Sequence, residues 1–202
     1  MKLLVLGATG RTGRDVVAAA CEAGHHVTAF GRRESDAAQV SLTGQFGDVG
    51  FVDAVREADA VLSCLASSNS DPVCSHAAEA VRLADPTARY LTIAGAGVDR
   101  PTDNKGTGDK VVGMIMKLVA GRMLADRQKE IDMLANSDMR WTALRPPRLT
   151  SGKPAGGWRF DLDRPRSTAI DREDLAAAML AAMMRDDLIG KAPFVSAGKG
   201  GV

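Results

Sequence analysis

The residues most able to do chemistry stand near the start of the chain. Gly7-Ala8-Thr9-Gly10-Arg11-Thr12-Gly13 sets three glycines in a G-x-x-G-x-x-G spacing, after the apolar run Leu3-Leu4-Val5-Leu6 and ahead of a helix-forming stretch. That context suits a turn that cradles a diphosphate. Gly7 permits the tight turn, Gly10 lets the backbone approach the anion, and Gly13 lets the helix pack close to the strand. Free N–H groups at the helix start, from Arg11 onward, face the anion, and the Thr9 and Thr12 hydroxyls can add donors. A plain connecting turn has little use for three glycines, because ordering them costs backbone entropy. A second cluster, Phe30-Gly31-Arg32-Arg33, follows the next apolar stretch. An acid usually stands there to accept from a ribose 2′-hydroxyl. Two guanidinium groups match a 2′-phosphate instead, which selects NADP(H) over NAD(H). The alternative for this pair is a solvated basic loop.

These groups need elements to position them. Leu3 to Leu6 reads as a strand buried on both faces. A helix from about Arg11 to Ala23 ends before Gly24, a residue suited to the left-handed position after a helix. His26 to Phe30 reads as strand two, Gly44 to Gly47 as a weak strand three, and Phe51 to Ala58 as a short helix. Ala60 to Leu65 gives strand four, Val73 to Ala84 a helix, and Arg89 to Ala94 strand five. A long helical region, Lys110 to Ala135, precedes strand six at Arg140 to Leu144. Asp171 opens a further helix, with Asp174 three residues on as in a capping box. Leu175, Met179 and Met183 give that helix a core-facing stripe, and Pro193 to Ser196 is a last strand. The alternation of strand and helix predicts an α/β, Rossmann-type doubly wound, mainly parallel sheet with helices on both faces and a small C-terminal extension. Residues 1–202 then form one NAD(P)-binding domain. The segments Asp99 to Asp109 and Ser151 to Arg166 read as long loops, where such sheets meet their substrates.

Composition narrows the function. The chain has 202 residues, 45% hydrophobic, with a net charge of +1 and 4% aromatic residues. A full nucleotide-binding sheet leaves no room for a separate substrate domain of ordinary size. Near-neutral charge and few stacking rings exclude nucleic acid and anionic membrane as expected partners. Cys21, Cys64 and Cys74 form an odd set with no CxxC pair, which predicts a reducing, cytoplasmic setting without disulfides. The apolar stretch Val111 to Leu124 carries Lys117 and Arg122 and is too short to span a bilayer.

At the glycine turn the chain resembles the atypical short-chain dehydrogenase/reductases with an NmrA-like NAD(P)-binding fold. Further matching pieces are Gly47-Asp48-Val49, the strand Ala60-Val61-Leu62-Ser63-Cys64-Leu65-Ala66, Trp141-Thr142-Ala143-Leu144-Arg145-Pro146-Pro147-Arg148-Leu149-Thr150, and Asp171-Arg172-Glu173-Asp174-Leu175-Ala176. Within that family the double proline and short C-terminal region are most similar to the NADPH-dependent flavin reductases of the biliverdin reductase B type. The resemblance implies that Asp48 and Val49 flank the adenine and that Cys64, Leu65 and Ala66 line the cofactor. It also implies that Ala94 and Gly95 lie near the nicotinamide, with Pro146 and Pro147 beside its carboxamide.

The side chains that would complete the chemistry are harder to find. Short-chain dehydrogenases use a Tyr-x-x-x-Lys pair for proton transfer. Here the sole tyrosine is Tyr90, followed four residues later by Ala94. Against the flavin-reductase pattern, Gly95 stands where a serine is expected, Arg148 where a histidine is expected, and Ser68 where a cofactor-contacting arginine is expected. No catalytic residue is therefore assigned. A flat conjugated acceptor such as a flavin can still take a hydride by stacking on the nicotinamide, with solvent supplying the proton. Arg148, or Arg159, Arg164 or Arg166, could attract an acidic acceptor, although a solvated charge is the commoner role of each. Met114, Met116 and Met123 fit core or dimer packing, or a pliable lid. Arg127 and Lys129 read as surface charges, although the resemblance implies that a basic residue on this helix can be directed at the cofactor. His25, His26 and His76 suggest no metal site. Two functions remain: an NADPH-dependent reductase of a flavin-like small molecule, or a non-catalytic NADP(H) sensor, in either case a monomer or small homo-oligomer.

Overall fold

The computed structural model describes residues 1–68, 70–104 and 121–198. Strands β1 (Lys2–Leu6), β2 (His26–Gly31), β3 (Val40–Thr43), β4 (Ala60–Ser63), β5 (Arg89–Ile93) and β6 (Arg140–Leu144) form one sheet in the order β3-β2-β1-β4-β5-β6. Every pairing in it is parallel. The chain turns one way from β1 through β2 to β3 and the other way from β4 to β6. This leaves a crevice beyond the carboxyl ends of β1 and β4, where such folds take their ligands.

Alternation along β1 builds both sides of the core. Leu3 and Val5 point to one face and pack with Val16 and Val17 of α1 (Arg11–Glu22). Leu175 and Met179, from the helix Arg172–Met183, close the same face. Leu4 and Leu6 point to the other face, among Phe51 of α2 (Val49–Glu57), Ala78 and Val81 of α3 (Val73–Ala84), and Ile131 and Leu134 of α4 (Gly121–Ala135). Period-two strands sandwiched between helices thus hold the turn after β1 on a rigid base. The helix Arg172–Met183 is α5.

Three expectations need correction. Strand three is Val40–Thr43, paired with Thr28–Gly31, and not Gly44 to Gly47. Gly47 has φ +93°, and the Asp48 carboxylate accepts from the Gln45 N–H at 2.8 Å, so those residues turn. Phe46 packs on Phe30 and Phe51 instead of joining the sheet. The segment Ser151 to Arg166 is not wholly loop: β8 (Trp158–Asp161) pairs antiparallel with β10 (Phe194–Ala197). Two further short strands, β7 (Arg148–Thr150) and β9 (Ala169–Asp171), pair in parallel beside the main sheet. Finally, Asp171 caps α5 by accepting from Glu173 N–H, but Asp174 does not complete a box. Its carboxylate accepts from Ala155 N–H at 2.7 Å and Gly156 N–H at 3.1 Å, which fixes the start of the extension. Met114, Met116 and the first part of the Lys110 to Ala135 helix lie outside the described residues.

Candidate functional site

The glycine turn is held together by contacts that only glycine allows. Gly7 has φ +78°, and a Cβ there would stand 3.0–3.1 Å from the Cys64 carbonyl group and Leu65 N. A Cβ on Gly13 would stand 2.1 Å from the Gly7 carbonyl oxygen. The Gly10 N–H donates to that same oxygen at 3.0 Å. Gly10 is the N-cap of α1, which has no side-chain cap and no acid in its first turn. The first N–H groups of α1 are thereby open to an anion, with the helix dipole favouring negative charge. Thr9 and Thr12 are partly exposed beside them, and Gly10 and Arg11 are exposed. These features fit a dinucleotide diphosphate.

The neighbouring strand ends fill in the rest of the crevice. Arg32 and Arg33 follow β2 in the open. Arg32 pairs with Asp71 at 3.7 Å, and its side chain is 89% exposed. An exposed pair of this kind contributes about 0–1 kcal/mol, too little to lock the guanidinium away from a ligand. Asp48 and Val49 stand at the start of α2, where Val49 is 77% exposed. Cys64, Leu65 and Ala66 run directly past Gly7. Burial pushes the Cys64 thiol up to about 12, while Arg127 pulls it down and Asp15 adds to the rise. That thiol stays neutral and is a poor nucleophile.

The ends of β5 and β6 are tied together. Ala94 N–H donates to the Leu144 carbonyl at 2.8 Å and Ala96 N–H to the Pro146 carbonyl at 2.9 Å. Gly95, with φ +83°, makes the turn between them. Pro146 is buried and Pro147 partly so. Arg148 is exposed at the start of β7, its backbone paired to Thr168. Turn, β4 exit, β5 exit and double proline therefore share the carboxyl edge of the sheet. Asp48 and Val49 lie on the opposite flank of the turn, after β3.

Tyr90 is fully buried, and its hydroxyl donates to Glu130 Oε1 at 3.0 Å. Burial first, then the Glu130 charge, holds that phenol well above its ordinary value. A proton-relay tyrosine has no counterpart here.

Sequence reasoning missed the polar face of α4. Arg127 is buried, not a surface charge, whereas Lys129 is exposed. Asp126 is buried as well. Its carboxylate accepts from Ser67 Oγ, from Ser75 Oγ at 2.5 Å, and from the N–H groups of Cys74 and Ser75 at 3.0 and 3.3 Å. It thus caps α3, whose own N-cap, Pro72, supplies no side-chain bond. A signal was present: Arg127, Glu130, Ile131 and Leu134 follow the i, i+3, i+4, i+7 spacing of a buried stripe.

Acid should test the Asp126 cap. Burial raises this carboxyl's pKa, but the Ser67, Ser75 and backbone hydrogen bonds outweigh it and leave the pKa lowered. A group depressed on folding stabilises above its unfolded value, roughly 3.9, and loses that contribution as pH falls through the folded value. Denaturant unfolding at pH 7 and pH 3 should show Asp126→Asn destabilised at pH 7, with a smaller further loss at pH 3 than the native chain suffers. Equal pH dependence of the two would refute the assignment.

Comparison with known proteins bears on the family and the fold. A family profile described as NAD(P)H-binding matches residues 7–186. No curated protein matches the chain. Among solved structures the chain is similar in fold to a nominal NADH-flavin reductase from Streptococcus pneumoniae TIGR4, with 21% identity, TM-score 0.78, and 96% of this chain and 98% of that one covered. It is similar to an anaerobilin reductase from Escherichia coli O157:H7, with 19% identity, TM-score 0.78 and the whole of both chains covered. A short-chain dehydrogenase/reductase from Veillonella parvula DSM 2008, solved in complex with NADP, aligns at 16% identity and TM-score 0.76 over 98% of this chain and 95% of that one. Among the described residues no helix is long and apolar enough to cross a membrane.

Proposed function

The chain belongs to the NAD(P)H-binding family, and from that premise we propose that it is an NADPH-dependent reductase acting on a flavin or a similarly flat, conjugated small molecule. The observation that carries the cofactor reading is the uncapped start of α1 behind a turn in which Gly13 touches Gly7. Arg32 and Arg33 carry the preference for the 2′-phosphate. Asp48 and Val49 then flank the adenine, and Thr9 through Gly13 hold the diphosphate. Cys64, Leu65, Ala66, Ala94, Gly95, Pro146 and Pro147 border the nicotinamide half.

Bound NADPH supplies a hydride. The chain's part is to hold an acceptor flat against the β5 and β6 exits, where Gly95 contributes no side chain to obstruct stacking, and to exclude water with the buried Pro146 edge. Tyr90 is committed to Glu130, so the acceptor must need no side-chain phenol as acid. A conjugated ring that takes its proton from solvent meets that condition, whereas an alcohol–ketone pair does not. Arg148, exposed at the mouth of the double-proline segment, is the candidate to attract an acidic acceptor.

NADPH oxidation with FMN, FAD, quinones and linear tetrapyrroles tests the reading. Turnover with at least one flat acceptor is expected. Tight NADPH binding without any turnover would favour a non-catalytic NADP(H) sensor, the reading that the absence of a tyrosine relay supports. For the cofactor, a charged hydrogen bond contributes roughly 1.5–3 kcal/mol. Arg32→Ala combined with Arg33→Ala should therefore weaken NADPH binding by about ten- to a thousandfold while leaving NADH nearly unchanged, measured by calorimetry. Equal loss for both cofactors would sink the 2′-phosphate assignment.

A further inference from the structure

Arg127 sits on α4, away from the glycine turn, yet its guanidinium reaches the chain that leaves β4. Nη2 donates to the Leu65 carbonyl oxygen. Nη1 donates to Thr92 Oγ1 on β5 at 3.1 Å and to Glu130 Oε2 at 2.7 Å. Glu130 is fully buried, and its other oxygen takes the Tyr90 hydroxyl. The arrangement is a closed, desolvated network joining α4, β5 and the exit of β4.

Its place in the sheet gives it a use. Hydrogen-bonded pairing between β4 and β5 runs from Val61 to Ser63 and stops there. Leu65, two residues on, has left the ladder, and its carbonyl is held by Arg127. One residue earlier on the same helix, Asp126 holds Ser67 and the first N–H groups of α3. Two successive residues of α4 thus grip the segment that begins with Cys64-Leu65-Ala66. A buried ion pair is weak evidence for stability, because apolar residues of equal volume often serve as well. What apolar residues cannot do is hold a carbonyl in one place.

Given the proposed NADPH reading, on which this inference rests, we propose that Arg127 is a positioning residue that sets the Cys64–Ala66 edge for the nicotinamide half of the cofactor. The sheet order fixes which half is concerned. Arg32 and Arg33 lie on the β2 side of the turn and Cys64–Ala66 on the β4 side. A dinucleotide crossing between β1 and β4 places its adenosine over β2 and its nicotinamide over β4 and β5. The adenosine half meets nothing that Arg127 holds.

Fragment binding separates the two halves without any turnover. Arg127→Lys keeps a cation but loses the fork that spans Leu65, Thr92 and Glu130. Calorimetry should show NADPH weakened by at least about tenfold, with adenosine 2′,5′-bisphosphate unchanged within about twofold. If the lysine variant does not fold, Arg127→Met paired with Glu130→Met removes both buried charges together, and the same split is expected. Equal loss of both ligands would mean general damage to the fold and would overturn the proposal. No loss of either ligand would overturn it as well. A native chain that binds neither NADPH nor the bisphosphate would instead bring down the cofactor reading itself.

Discussion

Gly13→Ala should abolish useful NADPH binding, weakening it by at least about 100-fold, and should destabilise the fold by about 1–3 kcal/mol as an overpacked contact. The added Cβ would meet the Gly7 carbonyl oxygen at 2.1 Å, the Gly7 carbonyl carbon at 2.9 Å and the Ala8 Cα at 3.0 Å. All three are backbone atoms of the glycine turn, so no side chain can swing aside. Relief requires α1 to move away from β1, which carries its first N–H groups off the anion. Gly10→Ala makes a useful contrast: its Cβ would meet only the Gly7 oxygen, at 3.2 Å. A displacement of a few tenths of an ångström accommodates it, so a much smaller loss of affinity is expected. Gly24→Ala is the control. Gly24 has a φ of +78°, which Gly13 and Gly10 do not, and nothing stands near its Cβ position. It should lose about 1–2 kcal/mol from backbone strain and keep its NADPH affinity. Calorimetry for binding and denaturant titration for stability distinguish all three. Full NADPH affinity in Gly13→Ala would show that the turn is not the diphosphate cradle.

The second large effect is expected at Arg145, immediately before the double proline. Its side chain is fully buried. Nη1 and Nη2 each donate to an Asp103 carboxylate oxygen at 2.7 Å, Nε donates to the Ala192 carbonyl at 2.7 Å, and Nη1 also reaches the Val98 carbonyl at 3.1 Å. The guanidinium carbon lies 3.8 Å from the centre of the Phe194 ring. Arg145→Met leaves the buried Asp103 carboxylate its bond from the Arg100 N–H but removes the guanidinium fork that balances its charge. Breaking such a pair from one side costs about 3–5 kcal/mol. Adding Asp103→Leu removes the charge that has lost its guanidinium, so the double variant should be more stable than Arg145→Met alone. A loss in Arg145→Met below about 1 kcal/mol would show that the pair is solvated in solution.

The two halves of the fold differed in how far the sequence exposed them. Each main-sheet strand except β3 was legible: Leu3–Leu6 and Ala60–Leu62 are apolar runs, and Arg140–Leu144 sets Trp141, Thr142, Ala143 and Leu144 between turn residues. The third strand was not: Val40–Thr43 mixes Ser41 and Thr43 with two aliphatics and lies at the sheet edge, so its burial signal is weak. The glycine turn was legible because its steric demands select glycine. Arg127 and Asp126 were not, since a charged residue on a helix is ordinarily solvated and only its spacing with Ile131 and Leu134 pointed inward. Arg145 stands inside the Trp141–Thr150 motif, where its neighbours in sequence give it no role. Its partners are Val98, Asp103 and Ala192, which no local pattern connects. Strands β7 to β9 have three or four residues each and owe their existence to partners distant in sequence.

The stitching around Arg145 also bears on the order in which the molecule can be assembled during synthesis. A nascent chain that has reached residue 150 already contains the glycine turn, both arginines after β2 and all six strands of the main sheet. It lacks the Ala192 carbonyl that takes Arg145 Nε, the Phe194 ring beneath the guanidinium, and the Pro193 carbonyl that takes the Arg145 N–H at 2.8 Å. It also lacks β10, on which β8 depends for its pairing. The glycine turn is therefore made early but is not backed until α5 brings Leu175 and Met179 to the face of Leu3 and Val5, and the buried charge beside Pro146 waits, half-satisfied, for residues 192–194 to emerge.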